Sequence, residues 1–166
     1  MSLAEQLLFF LPWCWLVNMS LNALGYATNR VPALARIDVP VDFGRTFPNG
    51  MRILGDARTW NGLGLSFILG SLGSFFFPDH GLFRLALLVW VGDALGSFVK
   101  RRLGIPRGRY TPFIDHGDYV IVAGAYAYAA GYLSLLGYAG GYVFTILVTP
   151  LVTYGAYALG LRNRPL

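Results

Sequence analysis

A chain of 166 residues that is 55% hydrophobic and only 13% charged, with a mean hydropathy of +0.53, is not an ordinary soluble domain, where about a quarter of the residues carry charge. A single cysteine, Cys14, excludes a disulfide framework and a thiolate metal site. The apolar residues gather in blocks close to the roughly 20 residues that cross a bilayer, so the composition predicts an all-α integral membrane protein, one membrane unit over residues 1–166.

Five spans are predicted in chain order. The first covers about residues 3–26; Glu5 stands where a signal peptide would carry positive charge, so this segment is expected to stay in the mature protein. Within it Asn18 and Asn22, at i and i+4, suit a polar cavity or a hydrogen bond to a neighbouring helix. A polar loop over about 27–62 leads to the second span, 63–77, which stops before Pro78. A short Asp79-His80-Gly81 connection precedes the third span, 82–99, followed by a second polar loop over 100–118. The fourth span, 119–136, turns near Gly137 into the fifth, 139–161, where Pro150 is tolerated if neighbours satisfy the freed carbonyl.

Basic residues orient the spans, because lysine and arginine are retained on the cytoplasmic side. Arg30, Arg36, Arg45, Arg52 and Arg58 lie in the first loop, Lys100, Arg101, Arg102, Arg107 and Arg109 in the second, and Arg162 and Arg164 in the tail; of 13 basic residues only Arg84 falls elsewhere. The predicted N-terminus is outside and the C-terminus cytoplasmic. The net charge of +5 suits loop retention and anionic head groups and calls for no nucleic acid.

The same two loops carry Asp38, Asp42 and Asp56, then Asp115 and Asp118, so any chemistry is expected on the cytoplasmic face of the cell membrane. His80 and His116 fall on opposite faces and make no zinc pair. If the third span continues as a helix, Asp93, Ser97, Lys100 and Arg101 share one face, with Gly92 and Gly96 flanking it for close approach. A carboxylate about two turns inside the boundary is expensive and therefore a functional candidate; the structural alternative is an Asp93 ion pair to Lys100 or Arg101 that pins the helix end. Asp115 and Asp118, ordinary as first-turn helix acids, complete a set of three hard-oxygen donors. Such donors bind magnesium, and magnesium bridges phosphates that lysine and arginine also hold. The set suits a nucleoside triphosphate without a P-loop, and a lipid as second substrate.

Gly92-Asp93-x-x-x-Ser97-x-x-Lys100-Arg101-Arg102, followed by Pro112 and Asp115-x-x-Asp118, resembles the signature of CDP-archaeol synthases, the archaeal relatives of bacterial CDP-diacylglycerol synthases. Pro40-x-Asp42-x-Gly44, Asn49-Gly50-x-Arg52-x-Leu54-Gly55 and Arg58-Thr59-Trp60-x-Gly62 are similar to that branch's first cytoplasmic loop, and the bacterial Lys-Asp pair and His-Gly-Gly run are absent. The resemblance implies a cytidylyltransferase that joins CTP to the phosphate of 2,3-di-O-geranylgeranylglycerol, with Mg2+. It further implies that Asp93, Asp115 and Asp118 are metal ligands and that Asp93, Lys100 and Arg101 are catalytic. Nucleotide contacts fall to Arg52, Gly55, Arg58, Thr59, Ser97, Lys100 and Arg101, and Arg102 is a candidate for the lipid phosphate. A small transporter or channel for an anion or divalent metal is the alternative from another class. A homodimer is left open.

Overall fold

The computed structural model describes residues 3–105, 109 and 111–158, with the side chains of Glu5, Asp79, Pro112, His116 and Ala156 outside that description. Arg107, Arg162 and Arg164, three of the basic residues that orient the spans, and the side chain of His116 lie outside the described residues.

The helices are α1 (Leu3–Thr28), α2 (Pro32–Ile37), α3 (Trp60–Phe76), α4 (Leu82–Arg102), α5 (Pro112–Ala129) and α6 (Leu135–Ala158), with a 3-10 turn at Pro78–His80. No strand occurs among the described residues, only isolated bridges joining Pro40 to Thr59 and Thr46 to Arg52. Three helical stretches, Gln6–Thr28, Leu82–Arg102 and Leu135–Gly155, are long and apolar enough to cross a membrane. At 17 residues α3 spans only about 25 Å, and α5 carries two aspartates in its first turns.

Three boundaries in the last two helices differ clearly from the sequence reading. α5 starts at Pro112 rather than Tyr119 and ends at Ala129, and α6 starts at Leu135, so the turn expected near Gly137 falls at residues 130–134 and Gly137 is helical. The cause is local. Pro112 is preorganised for a first helical turn, and Gly131 takes the left-handed φ of +78° that ends the helix, whereas an apolar run by itself carries no stop signal.

α4 is the central element, packed against α1, α3 and α5 around Cys14, Val17, Ala86, Val89, Val120 and Ala123. Helices in lipid approach where side chains are small. A Cβ on Gly70 would lie 2.9 Å from Phe83 Cα, and one on Gly92 would lie 2.5 Å from Tyr119 Cα, so backbone meets backbone at both crossings. Cys14 is buried and serves packing, as expected. Leu8, Phe75 and Leu151 are more than two-thirds exposed, which suits a bundle surrounded by hydrocarbon.

Candidate active site

The α4–α5 crossing, closed by Gly92, is also where the charges meet. α4 buries Asp93 and Ser97, and the first turns of α5 bring up Asp115 and Asp118. Asp93 Oδ2 is paired with Arg58 Nη1, and Arg58 Nε donates to Ser97 Oγ at 2.8 Å. One guanidinium thus ties the first loop to two residues one turn apart on α4. The ion pair of Asp93 with Lys100 or Arg101 weighed from sequence gives way to this one. Lys100 Nζ instead reaches across to Asp115 Oδ1, while Thr111 N donates to Asp115 Oδ2 at 2.7 Å.

Asp118 lies against Gly96, where a Cβ would overlap its Oδ2, and its Oδ1 accepts from Tyr119 N at 2.7 Å. It is within electrostatic reach of both Asp93 and Asp115. Among the described residues no three carboxylate, imidazole or thiolate groups gather into a ready cage. Magnesium does not need one, since it binds through one or two protein carboxylates together with substrate phosphates. Hard oxygens along one helix seam, Asp93 beside Arg58 and Asp115 beside Lys100 with Asp118 between the helices, fit that ion.

The first loop is organised around Asp42, which sequence reasoning noted but gave no role. Its buried carboxylate accepts from Arg52 Nη2 at 2.6 Å, from Leu54 N at 2.9 Å, and from Gly44 N and Gly55 N at 3.1 Å each. Burial would raise its pKa, but the Arg52 hydrogen bond and the three backbone donors outweigh that and lower it to about 2. Gly44, Gly50 and Gly55 take φ of +80°, +75° and +93°, which only glycine adopts without strain. The signal was present in Pro40-x-Asp42-x-Gly44: an acid flanked by a turn glycine is a backbone organiser.

Several predicted contacts therefore carry structural partners. Arg52 pairs with Asp42 and Asp56, and the Thr59 hydroxyl caps α3 by accepting from Gly62 N at 3.2 Å. Arg101 donates to Ile105 O at 2.5 Å. Arg102 places its guanidinium 3.4 Å from the Phe47 ring centroid and 5.3 Å from that of Phe98, and donates to Arg52 O at 3.3 Å. Asn22 donates to Asn18 Oδ1 within α1 at 2.9 Å, an intrahelical bond where the sequence suits one to a neighbouring helix, and neither residue lines the cavity described next.

A cavity of about 330 Å³ opens beside the seam, bounded by Leu21, Gly25, Asp38, Arg58, Trp90 and Asp93. Asp38 and Trp90 are further residues to which the sequence assigned no role. The cavity holds the Arg58–Asp93 pair at one wall and apolar surface at others, which is how a pocket orients a ligand that is part anion and part ring.

A helical bundle with long apolar helices, buried carboxylates, paired guanidinium groups and a cavity beside them suits a membrane-integral protein that handles an anionic ligand. A family model described as CarS-like, CDP-archaeol synthase, matches residues 14–166. Similar proteins named CDP-archaeol synthase include one from Aeropyrum pernix, 35% identical over 166 residues and covering 91% of this chain and 95% of its own. Another, from Pyrococcus horikoshii, is 34% identical over 157 residues, covering 84% and 90%. A solved structure described as an intramembrane enzyme for archaeal membrane lipids biosynthesis is similar with TM-score 0.58 and 32% identity, covering 80% of this chain and 89% of that one. The chain belongs to the CDP-archaeol synthase family. It is accordingly an enzyme, a CTP-dependent cytidylyltransferase of phospholipid biosynthesis, and the transporter or channel alternative is set aside.

Proposed function

We propose that the protein transfers CMP from CTP to the phosphate of 2,3-di-O-geranylgeranylglyceryl phosphate, giving CDP-archaeol and pyrophosphate. A lipid phosphate oxygen forms the new bond to the α-phosphorus as the bond to the bridging oxygen breaks, and pyrophosphate leaves with the electron pair. The nucleophile is already an anion, so no serine or histidine is required; the barrier is the approach of two polyanions and their alignment. Arg58 and Lys100 are suited to take the triphosphate, because each is held by carboxylates that a second cation can take over. Asp93 with Asp115 or Asp118 would hold Mg2+, which when bound neutralises charge on the α-phosphate and the departing pyrophosphate. Ser97 aims Arg58, and Arg52, Gly55 and Thr59 hold the loop that carries it. Arg101 stands beside Gly55. In this reading the bundle crosses the cell membrane five times, with the N-terminus outside and both polar loops cytoplasmic.

The observation that carries the reading is Arg58 fixed between Asp93 and Ser97 on the wall of the cavity. The test uses purified protein in detergent with labelled CTP, magnesium and the ether lipid phosphate, following a lipid-soluble nucleotide. Product is expected with the wild type and is lost in Asp93→Asn at unchanged thermal unfolding midpoint; product from Asp93→Asn at the wild-type rate would remove that aspartate from the site.

A further inference from the structure

One acid on the cavity is left over once the pairs above are assigned. Asp38 lines the cavity, and its Oδ1 is buried with no hydrogen-bond partner among the described residues. An unmatched buried carboxylate oxygen is costly and calls for a reason. The two other acids on this cavity have cations, Asp56 with Arg52 and Asp93 with Arg58.

The backbone around Asp38 is tied down on both sides. Asn61 Nδ2 donates to Ile37 O at 3.1 Å and Trp60 N donates to Val39 O at 3.0 Å, while Val41 N donates to Arg58 O at 2.8 Å across the Pro40–Thr59 bridge. Asp38 and Arg58 therefore sit on paired segments at a fixed separation on one cavity. The same cavity is lined by Leu21, Leu24, Pro40 and Trp90 as well as by Thr28, Asn29 and Thr59, and an acceptor without a protein partner there suits a flat group that carries an N–H and apolar faces. With Arg58 at the phosphate end, that group is the base of the nucleotide.

We propose that Asp38 reads the exocyclic amine of cytosine and sets the preference for CTP over UTP. A carboxylate accepts from the cytosine N4 amine, whereas the O4 carbonyl of uracil would face it as a second acceptor. This deepens the cytidylyltransferase reading and rests on it. Asp38 is a specificity-determining residue and takes no part in the bond changes at phosphorus.

The test measures kcat/KM for CTP and UTP with the full chain in detergent, magnesium and the ether lipid phosphate, for wild type, Asp38→Ala and Asp38→Asn. Asp38→Ala is expected to lower kcat/KM for CTP about 10- to 100-fold, chiefly through KM, and to leave UTP unchanged. Asp38→Asn, which can also donate, is expected to raise UTP use relative to CTP. An unchanged CTP/UTP ratio in both variants overturns the assignment, as does a rise in the magnesium requirement with the ratio constant, which would make Asp38 a cation ligand. Unfolding midpoints identify a variant that fails to fold, and Asn then carries the comparison. Calorimetric binding of CTP and UTP without lipid separates the two readings. A wild type that prefers CTP in binding but makes no product breaks the transferase reading alone, and equal binding of both nucleotides breaks this one.

Discussion

The first loop and the α4–α5 seam are both built from arginine, lysine and aspartate, yet they hold those charges in opposite ways. In the loop a single carboxylate, Asp42, is saturated by three backbone N–H groups and a guanidinium of the same loop. In the seam Asp93 and Asp115 each meet a cation from another element, Arg58 of the loop and Lys100 of α4, and these cations sit on long side chains. A charge fixed by many local donors is scaffold. A charge held chiefly by one distant side chain can exchange that partner for a phosphate or a metal, and on this difference rests the proposal that the seam, not the Asp42 cluster, handles the substrate.

Removing one member of each set tests the contrast most directly. Arg58→Ala is expected to lower kcat/KM for CTP by about 10²- to 10³-fold with the bundle still folded, and Arg58→Lys to recover little, because an ammonium cannot serve Asp93 and Ser97 with one planar fork. Activity within tenfold of wild type would make the seam scaffold as well. Asp42→Ala should act through stability, destabilising the loop by about 2–4 kcal/mol and accelerating hydrogen exchange at the Leu54 and Gly55 amides.

Acidification offers a milder form of the same break. The pKa of Asp42 is depressed in the folded loop, so its contribution of about 2–3 kcal/mol is complete above the ordinary carboxylate value near 3.9 and is lost as pH falls through about 2. Exchange protection at Leu54 and Gly55 should hold from pH 7 down to about 5 and then decline toward pH 2. Arg102→Lys should be the smallest effect, about 0.5–2 kcal/mol from the weakened contact with Phe47 and Phe98, read as a lower unfolding midpoint. Its KM for the lipid phosphate should not move; a tenfold rise would return Arg102 to the substrate.

The long apolar helices and the charged face of α4 were legible in the sequence because hydropathy and the 3.6-residue repeat are local properties. The start of α5 was less so, since Pro112 lies outside the apolar run that defines the span. The partner of Asp93 was not readable at all: Lys100 and Arg101 are near in sequence, whereas Arg58 arrives through the fold of a loop whose turns depend on Gly44, Gly50 and Gly55. The same limit hid Asp38, whose importance lies in what its neighbours fail to offer.

The Arg58–Asp93 pair also has a direction in time. Arg58 precedes its other α4 partner, Ser97, by 39 residues and is synthesised before any of α4. A bare aspartate near mid-bilayer would cost about 2.5–3.5 kcal/mol on insertion. When α4 leaves the ribosome, the counter-charge for its buried acid already exists upstream, while the Lys100–Asp115 pair, separated by 15 residues, must wait for α5. The order of the chain thus makes the partner of the more buried acid available before the acid itself is synthesised.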